Sequence, residues 1–522
     1  MDDFIVTDGK PLRASWPRLC ALVVLLLLSE VVYLALQQLN AVNGLRPVVT
    51  FWIEMGALFA LYAAAYFVVL RLGEREKPAL FIIVLGAVMF RLTLLPAGVP
   101  HEISGVARLR ALKTDTQGTE VVYERFQLFD DDIWRYLWDG HVWANGVNPY
   151  RYAPADTALD GLTLVQPEQS RIALRQQTDA AAKTRAESSG TAALEASEES
   201  FWSDIRDNIN HADVPTIYTP LAQFIFRFSH AIAPGSVTVL KGLLVLCELL
   251  AVLFLVLTLR QLGQSVLVVI LYAWNPLMVK VFAGSGHADA ILVAALAATA
   301  FFIVRGARRA AAISIALAIL AKLSPAILLP FVLRRIGWRN LLLVGAVLLC
   351  GYYPFLDPSV NPFTGMQTFA REWQFNAGFF ALAQWLAGGV TAHPAFVARA
   401  LSGLATLGVI SWLLWRDDLM AESFARFGAA AMGALVLFSP TVMPWYLSWV
   451  LPLAVIARQH VWFLFSAIVC IAFHIMIDET EHAPALWLEY GLLLALLSWP
   501  LVRQRWGECS GVPQNNLNWE TS

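Results

Sequence analysis

The chain has 522 residues, 58% hydrophobic and only 15% charged, with a mean hydropathy of +0.59, well below the roughly 25% charged residues of a soluble domain. That composition excludes a soluble globular enzyme and indicates a polytopic membrane protein. A net charge of -2 excludes a nucleic-acid partner, which would need a concentrated basic face, and the five cysteines (Cys20, Cys247, Cys350, Cys470, Cys509) lack metal-like spacing and take no redox or metal role.

Arg13 and Arg18 precede an apolar run from about Leu19 to Leu36 with no small-residue cleavage site after it, which reads as an uncleaved first span. Apolar runs long enough to cross a bilayer lie at 18–37, 48–70, 78–96, 237–258, 266–283, 288–304, 340–356, 396–415, 424–438, 444–457, 461–477 and 484–501. Between 310 and 333, Ala-rich sequence is interrupted by Lys322-Leu323-Ser324-Pro325. Proline removes a donor and clashes with the preceding turn, so two short helices are expected to meet near Ser324. With that pair the expected fold is all-α, with about 12 to 14 transmembrane helices. Asn376 to Ala387 is too short to cross and reads as a re-entrant or interfacial helix. The expected organisation is N-terminal transmembrane helices over 1–96, an external catalytic loop region over 97–236, a transmembrane helical core over 237–502 and a cytoplasmic tail over 503–522.

Lys and Arg in short loops orient the chain. Arg13, Arg18, Arg71, Arg75, Lys77, Arg260, Arg305, Arg308, Arg309, Arg334, Arg335, Arg339, Arg416, Arg503 and Arg505 fall on one side, the expected cytoplasmic side. The opposite side receives 97–236, the turn Gly284 to His287, 357–395, Ser439 to Pro444 and Asp478 to Pro484. Nearly every polar motif lies there, which points to one active face, periplasmic or extracellular, on a multi-pass protein of the cytoplasmic membrane.

In the large external block, Gln166 to Ser200 is rich in Ala, Glu and Arg without apolar periodicity and reads as a solvated insertion, near 160–205, dispensable for chemistry. Before it stands Phe129-Asp130-Asp131-Asp132-Ile133-Trp134-Arg135-Tyr136-Leu137-Trp138-Asp139-Gly140. Three acids next to aromatics are costly in so apolar a chain unless used. A helix-capping turn explains them simply. A carboxylate against apolar walls could instead take a proton from a hydroxyl, and Asp130 with Asp132 could hold a divalent cation, Mg or Mn, through hard oxygens. The residues leave these readings open, and no motif demands a cofactor. Arg135 offers a two-pronged contact to phosphate, while Trp134, Tyr136 and Trp138 serve equally as a sugar face or as interfacial belt.

Further along, His211 and Tyr218 lie in an extended turn bounded by Pro215 and Pro220. His287 and Asp289 sit where an external turn enters a span, where ionisable groups are costly unless used, although Asp289 could simply cap its helix. Lys322 stands at the helix break, with snorkelling as its ordinary alternative. Arg371 is followed by Trp373 in an external loop, and Trp445 and Tyr446 follow Pro444.

Asp131 to Gly140 with Gly146-Val147-Asn148-Pro149-Tyr150, then Pro215 to Gln223, resembles the GT-C superfamily of polyprenyl-phosphate-sugar-dependent transferases, specifically the bacterial branch related to alpha-1,6-mannosyltransferases and GPI mannosyltransferases. Gly286-His287-Ala288-Asp289, Ala321 to Pro325, Arg371 to Asn376 and Pro444-Trp445-Tyr446 follow in the same order, so the resemblance spans roughly 80 to 455. It implies an external cavity, a hexose donor, foremost mannose, on a polyprenyl phosphate, a lipid or glycan acceptor, and an inverting reaction with Asp131 or Asp132 as base. By the same resemblance Asp130, Arg135, Tyr136, His211, Tyr218, His287, Asp289, Lys322, Arg371, Trp445 and Tyr446 become candidate substrate contacts. Two departures stand out: Met443 occupies a position where relatives often carry His, and extra sequence flanks the acidic motif at Ile103 to Gln127 and about 160–205. The rival class is a lipid or solute transporter or flippase, against which no internal repeat of hydropathy is seen. A third possibility, an inactive assembly partner, sits poorly with the intact acidic triplet.

Overall fold

The computed structural model describes residues 16–39, 41–42, 47–72, 76–98, 101–103, 106–108, 110–114, 120–124, 128, 130–164, 200–475 and 482–510. The Gln166–Ser200 insertion lies outside the described residues except for its last residue, as do Arg13, Arg75 and Phe129.

The expected apolar runs become helices nearly in register. Trp16–Gln37, Val48–Val69, Lys77–Leu94, Val237–Gln261 and Pro394–Arg416 are long and apolar enough to cross a membrane. Their outer faces leave large apolar side chains such as Leu27, Ile53, Phe81, Leu253 and Leu404 exposed, as lipid-facing helices require. A broken span, Val266–Ala273 with Pro276–Ser285 bent by 57°, and six shorter apolar helices bring the apolar segments among the described residues to twelve. A further helix, Arg308–Ala321, ends at Lys322 and is followed by the 3-10 turn Ser324–Leu328 and the helix Leu329–Ile336, so the proline break falls where the sequence places it.

Two regions depart from expectation. The run 444–457 is not one spanning helix: Pro444–Trp449 forms a 3-10 turn and Leu451–Ala457 a short helix, with Pro444 and Pro452 each at a first turn, where a missing N–H is harmless. The Ile103 to Gln127 region adds small antiparallel sheets to the helical fold. His101–Ile103 pairs with Val106–Arg108, and Arg110–Thr114 pairs with Glu120–Glu124, whose other edge takes Ala41–Val42. Asn376 to Ala387 appears as the helix Gly378–Gly388.

Three local devices position the site. The helix Asp132–Ala144 lies against Pro220–Ile232 at Gly140, where an added Cβ would stand 2.5 Å from the Phe226 carbonyl oxygen. In the broken span, Asn275 caps the second half by accepting from the backbone N–H of Leu277 and Met278, and it donates to Ser466 Oγ at 2.8 Å. That half continues into the π-turn Lys280–Ser285, which Gly286 ends at φ +74°. A Cβ there would also meet Lys241 and Ile133, so only glycine lets the chain turn and deliver His287.

Candidate active site

A cavity of about 240 Å³ forms where these elements meet. Its floor holds Asp130, Asp131, Asp132 and Arg135 from the acidic turn, His287 and Asp289 from the π-turn exit, and Lys322 from the helix break. Its walls include Asn210, His211, Tyr218 and Thr219, the helix residues Met366 and Phe369 with Trp373, and Met443, Trp445 and Tyr446. Sequence positions over 300 residues apart thus share one space.

Asp132 begins the helix Asp132–Ala144, and its side chain is 31% exposed. Its Oδ2 lies 3.1 Å from His287 Nε2 and 3.5 Å from the Tyr136 hydroxyl. Burial alone would raise the Asp132 pKa, but the His287 hydrogen bond and charge, with Tyr218 and Lys322, hold it below the ordinary carboxylate value. Asp130 is different. Burial, reinforced by the Asp132 charge, pushes its carboxyl up to about 6 against the pull of His287, while its Oδ1 accepts from the Asp132 backbone N–H. Asp131 precedes the helix and lines the cavity. His287 sits between two carboxylates, with Nδ1 2.5 Å from Asp289 Oδ2. Burial would lower its pKa, but Asp289, Asp130 and Asp132 outweigh it and hold the ring at about 9.

Lys322 Nζ donates to both Asp289 oxygens, at 3.0 and 3.2 Å, and lies over the Tyr446 and Trp449 rings. Arg135 is anchored by Asp139 Oδ1 and the Val214 carbonyl oxygen, and Asp139 is held in turn by Thr216 and Gln223. Tyr136 stacks on Phe226 and meets Tyr218 edge-on, placing its hydroxyl near Asp132 and the Ala288 N–H. His211 packs edge-on against Trp373, and Trp445 lies against His287. Among the described residues, Asp130 Oδ2, Arg135 Nη2 and Thr219 Oγ1 are buried without a hydrogen-bond partner. Orphaned polar atoms lining a cavity are what a ligand would satisfy.

Two expected site residues fall outside the cavity lining: Tyr136 is buried with its hydroxyl 3.5 Å from Asp132 Oδ2, and Arg371 stands exposed near the end of the helix Thr364–Glu372. Helical periodicity explains the place of Arg371, because Met366 and Phe369, followed by Trp373, share the inward face and residue 371 points the other way. That spacing was readable in the sequence as an amphipathic turn. The helix is seated by Gly365, whose added Cβ would fall 2.2 Å from the Pro215 carbonyl oxygen. Trp449 was also missed as a partner: its indole N–H donates to Asp289 Oδ1.

Asp130, Asp132 and His287 bring ligand atoms within 4.8 Å of one another. With the orphaned Asp130 oxygen, these donors fit a divalent cation only once His287 Nε2 has given up its proton, because a ligating imidazole must be neutral. His287 joins the two acids that the sequence singled out for that role.

Two family models match the chain. Residues 189–337 match the alpha-(1->6)-mannopyranosyltransferase N-terminal domain of the MptA and MptB family, and 377–499 match the MptB C-terminal domain. No curated protein and no solved structure matches it. The matched segments take in more than half of the chain and contain His211, Tyr218, His287, Asp289, Lys322, Trp445 and Tyr446, and the fold brings these residues to the acidic turn. The chain belongs to the alpha-(1->6)-mannopyranosyltransferase family of MptA and MptB.

Proposed function

We propose that this membrane mannosyltransferase moves a mannosyl group from a polyprenyl phosphate carrier to a hydroxyl of a lipid or glycan acceptor, at the periplasmic or extracellular face of the cytoplasmic membrane. The observation that carries the reading is one cavity lined by a partly exposed carboxylate, Asp132, together with the cationic side chains Lys322 and Arg135. The acceptor oxygen attacks the anomeric carbon, its proton passes to Asp132, and the bond from that carbon to the phosphate oxygen breaks on the opposite face, with inversion as in other single displacements at a sugar. The leaving phosphate carries its own negative charge and needs no acid. Lys322 and the unpaired Arg135 Nη2 supply the charge that stabilises it. Trp445, Tyr446 and Trp373 offer faces for sugar rings, and His211 and Tyr218 border the same space. A divalent cation, if bound, would be held by Asp130, Asp132 and His287 and would neutralise phosphate charge.

The test uses purified protein in lipid nanodiscs with radiolabelled polyprenyl-phosphate-mannose and a glycolipid extract as acceptor. Asp132→Asn is expected to lower kcat by about 100- to 10,000-fold, the usual contribution of a positioned base, and Asp131→Asn to lower it far less. Equal activity of Asp132→Asn and wild type would remove Asp132 as the base. Absence of transfer from every lipid-linked hexose would overturn the reaction class.

A further inference from the structure

Asp289 lines the cavity, and its place beside the acidic turn invites the reading that it touches substrate. Its hydrogen bonds argue otherwise. The side chain is 1% exposed. Oδ2 takes the His287 Nδ1 contact at 2.5 Å, Oδ1 accepts from the Trp449 indole N–H, and Lys322 Nζ donates to both oxygens at 3.0 and 3.2 Å. A carboxylate has about four lone-pair sites, and all are engaged by protein. No capacity remains for a sugar hydroxyl or a cation.

These partners face outward into the cavity. His287, fixed through Nδ1, presents Nε2 to Asp132 at 3.1 Å. Lys322 is 27% exposed and held over the Tyr446 and Trp449 rings. One buried carboxylate therefore sets the ring orientation of the residue beside the base and the position of a cation that lines the same cavity. Such carboxylate–histidine pairs fix which ring nitrogen carries the proton, whether the histidine then donates a hydrogen bond or binds a metal.

We infer that Asp289 is a positioning residue, acting through His287 on Asp132 and through Lys322 on the leaving group, and that it makes no contact with substrate. The role in turnover rests on the proposed transferase reaction; the role in orienting His287 does not. In the nanodisc assay Asp289→Asn is expected to lower kcat about 100-fold while the KM for donor and acceptor stays within about threefold. A loss confined to KM, or wild-type kcat, would overturn the inference.

A second readout is independent of turnover. In protein labelled with 15N-histidine, the ring signal lost in His287→Gln should lie strongly downfield in wild type. It should move in Asp289→Asn, with the other histidine signals unchanged as a check on folding. An unmoved His287 signal would overturn the inference even if activity fell. If wild type transfers no lipid-linked hexose, the reaction assignment fails while this spectrum still decides the positioning role.

Discussion

At the scale of single residues, burial and nearby charge divide chemically similar side chains into different roles. Asp130 and Asp132 are two residues apart, yet burial pushes one up to about 6 and His287 holds the other below its ordinary value. The fold thus favours protonated Asp130, so the stability this residue gives is present at low pH and lost as pH rises through about 6. Asp130→Asn should therefore raise the unfolding temperature at pH 8 more than at pH 5, as measured by thermal unfolding in nanodiscs. A second pair behaves in the opposite sense. His141 and His230 lie 3.2 Å apart beside Trp202, and burial lowers both to about 4. Unfolding frees them to bind protons below about 6.5, so stability present above that pH is lost as pH falls toward 4. Hydrogen-exchange protection of the helix Asp132–Ala144, corrected for the pH dependence of intrinsic exchange, should fall over that window, and replacing both histidines with Gln should flatten the dependence.

At the scale of elements, close backbone approaches locate the walls of the cavity. Gly365 brings the helix Thr364–Glu372 against the Pro215 and Thr216 carbonyl oxygens, with an added Cβ at 2.2 and 2.7 Å. Backbone cannot yield as a flexible side chain can, so Gly365→Ala must push the helix outward, at about 1 to 3 kcal/mol for such overpacking. Met366 and Phe369 would move with it, and the expected result is a raised KM with a smaller change in kcat, read from transfer kinetics. Asn376 donates to both Glu489 oxygens at 2.9 and 3.0 Å while the neighbouring Phe375 backbone pairs with Pro440 and Val442, just before the lining residue Met443. The C-terminal helix His482–Ser510 thereby fixes the approach to Met443 and Trp445.

For the molecule as a whole, the helices are joined by ionic contacts that hydropathy conceals. Arg91 and Glu248 are fully buried, and the guanidinium makes a two-pronged contact with the carboxylate while donating to the Ala87 and Ala273 carbonyl oxygens at 2.9 Å. Removing one partner strands a charge away from water, so Glu248→Leu alone should cost about 3 to 5 kcal/mol, whereas Arg91→Met with Glu248→Leu should be far milder. Unfolding in denaturant, compared across the two single variants and the double variant, measures that difference.

The sequence by itself determined where the apolar helices lie, because length and hydropathy are local properties that a bilayer reads directly. It also determined the break at Lys322–Pro325, through proline geometry, and marked the acidic turn as costly. Tertiary structure decided which polar groups share a cavity, since distance between residues such as Asp132, His287 and Trp445 depends on how helices pack. It excluded Arg371 from the cavity lining, because one helix face can point inward at a time, and it split 444–457 into a 3-10 turn and a short helix. It also turned Asp289 from an apparent substrate contact into a carboxylate whose lone pairs are all engaged by its neighbours. Hydrogen-bond saturation belongs to the assembled set of side chains, and no single stretch of sequence contains that set.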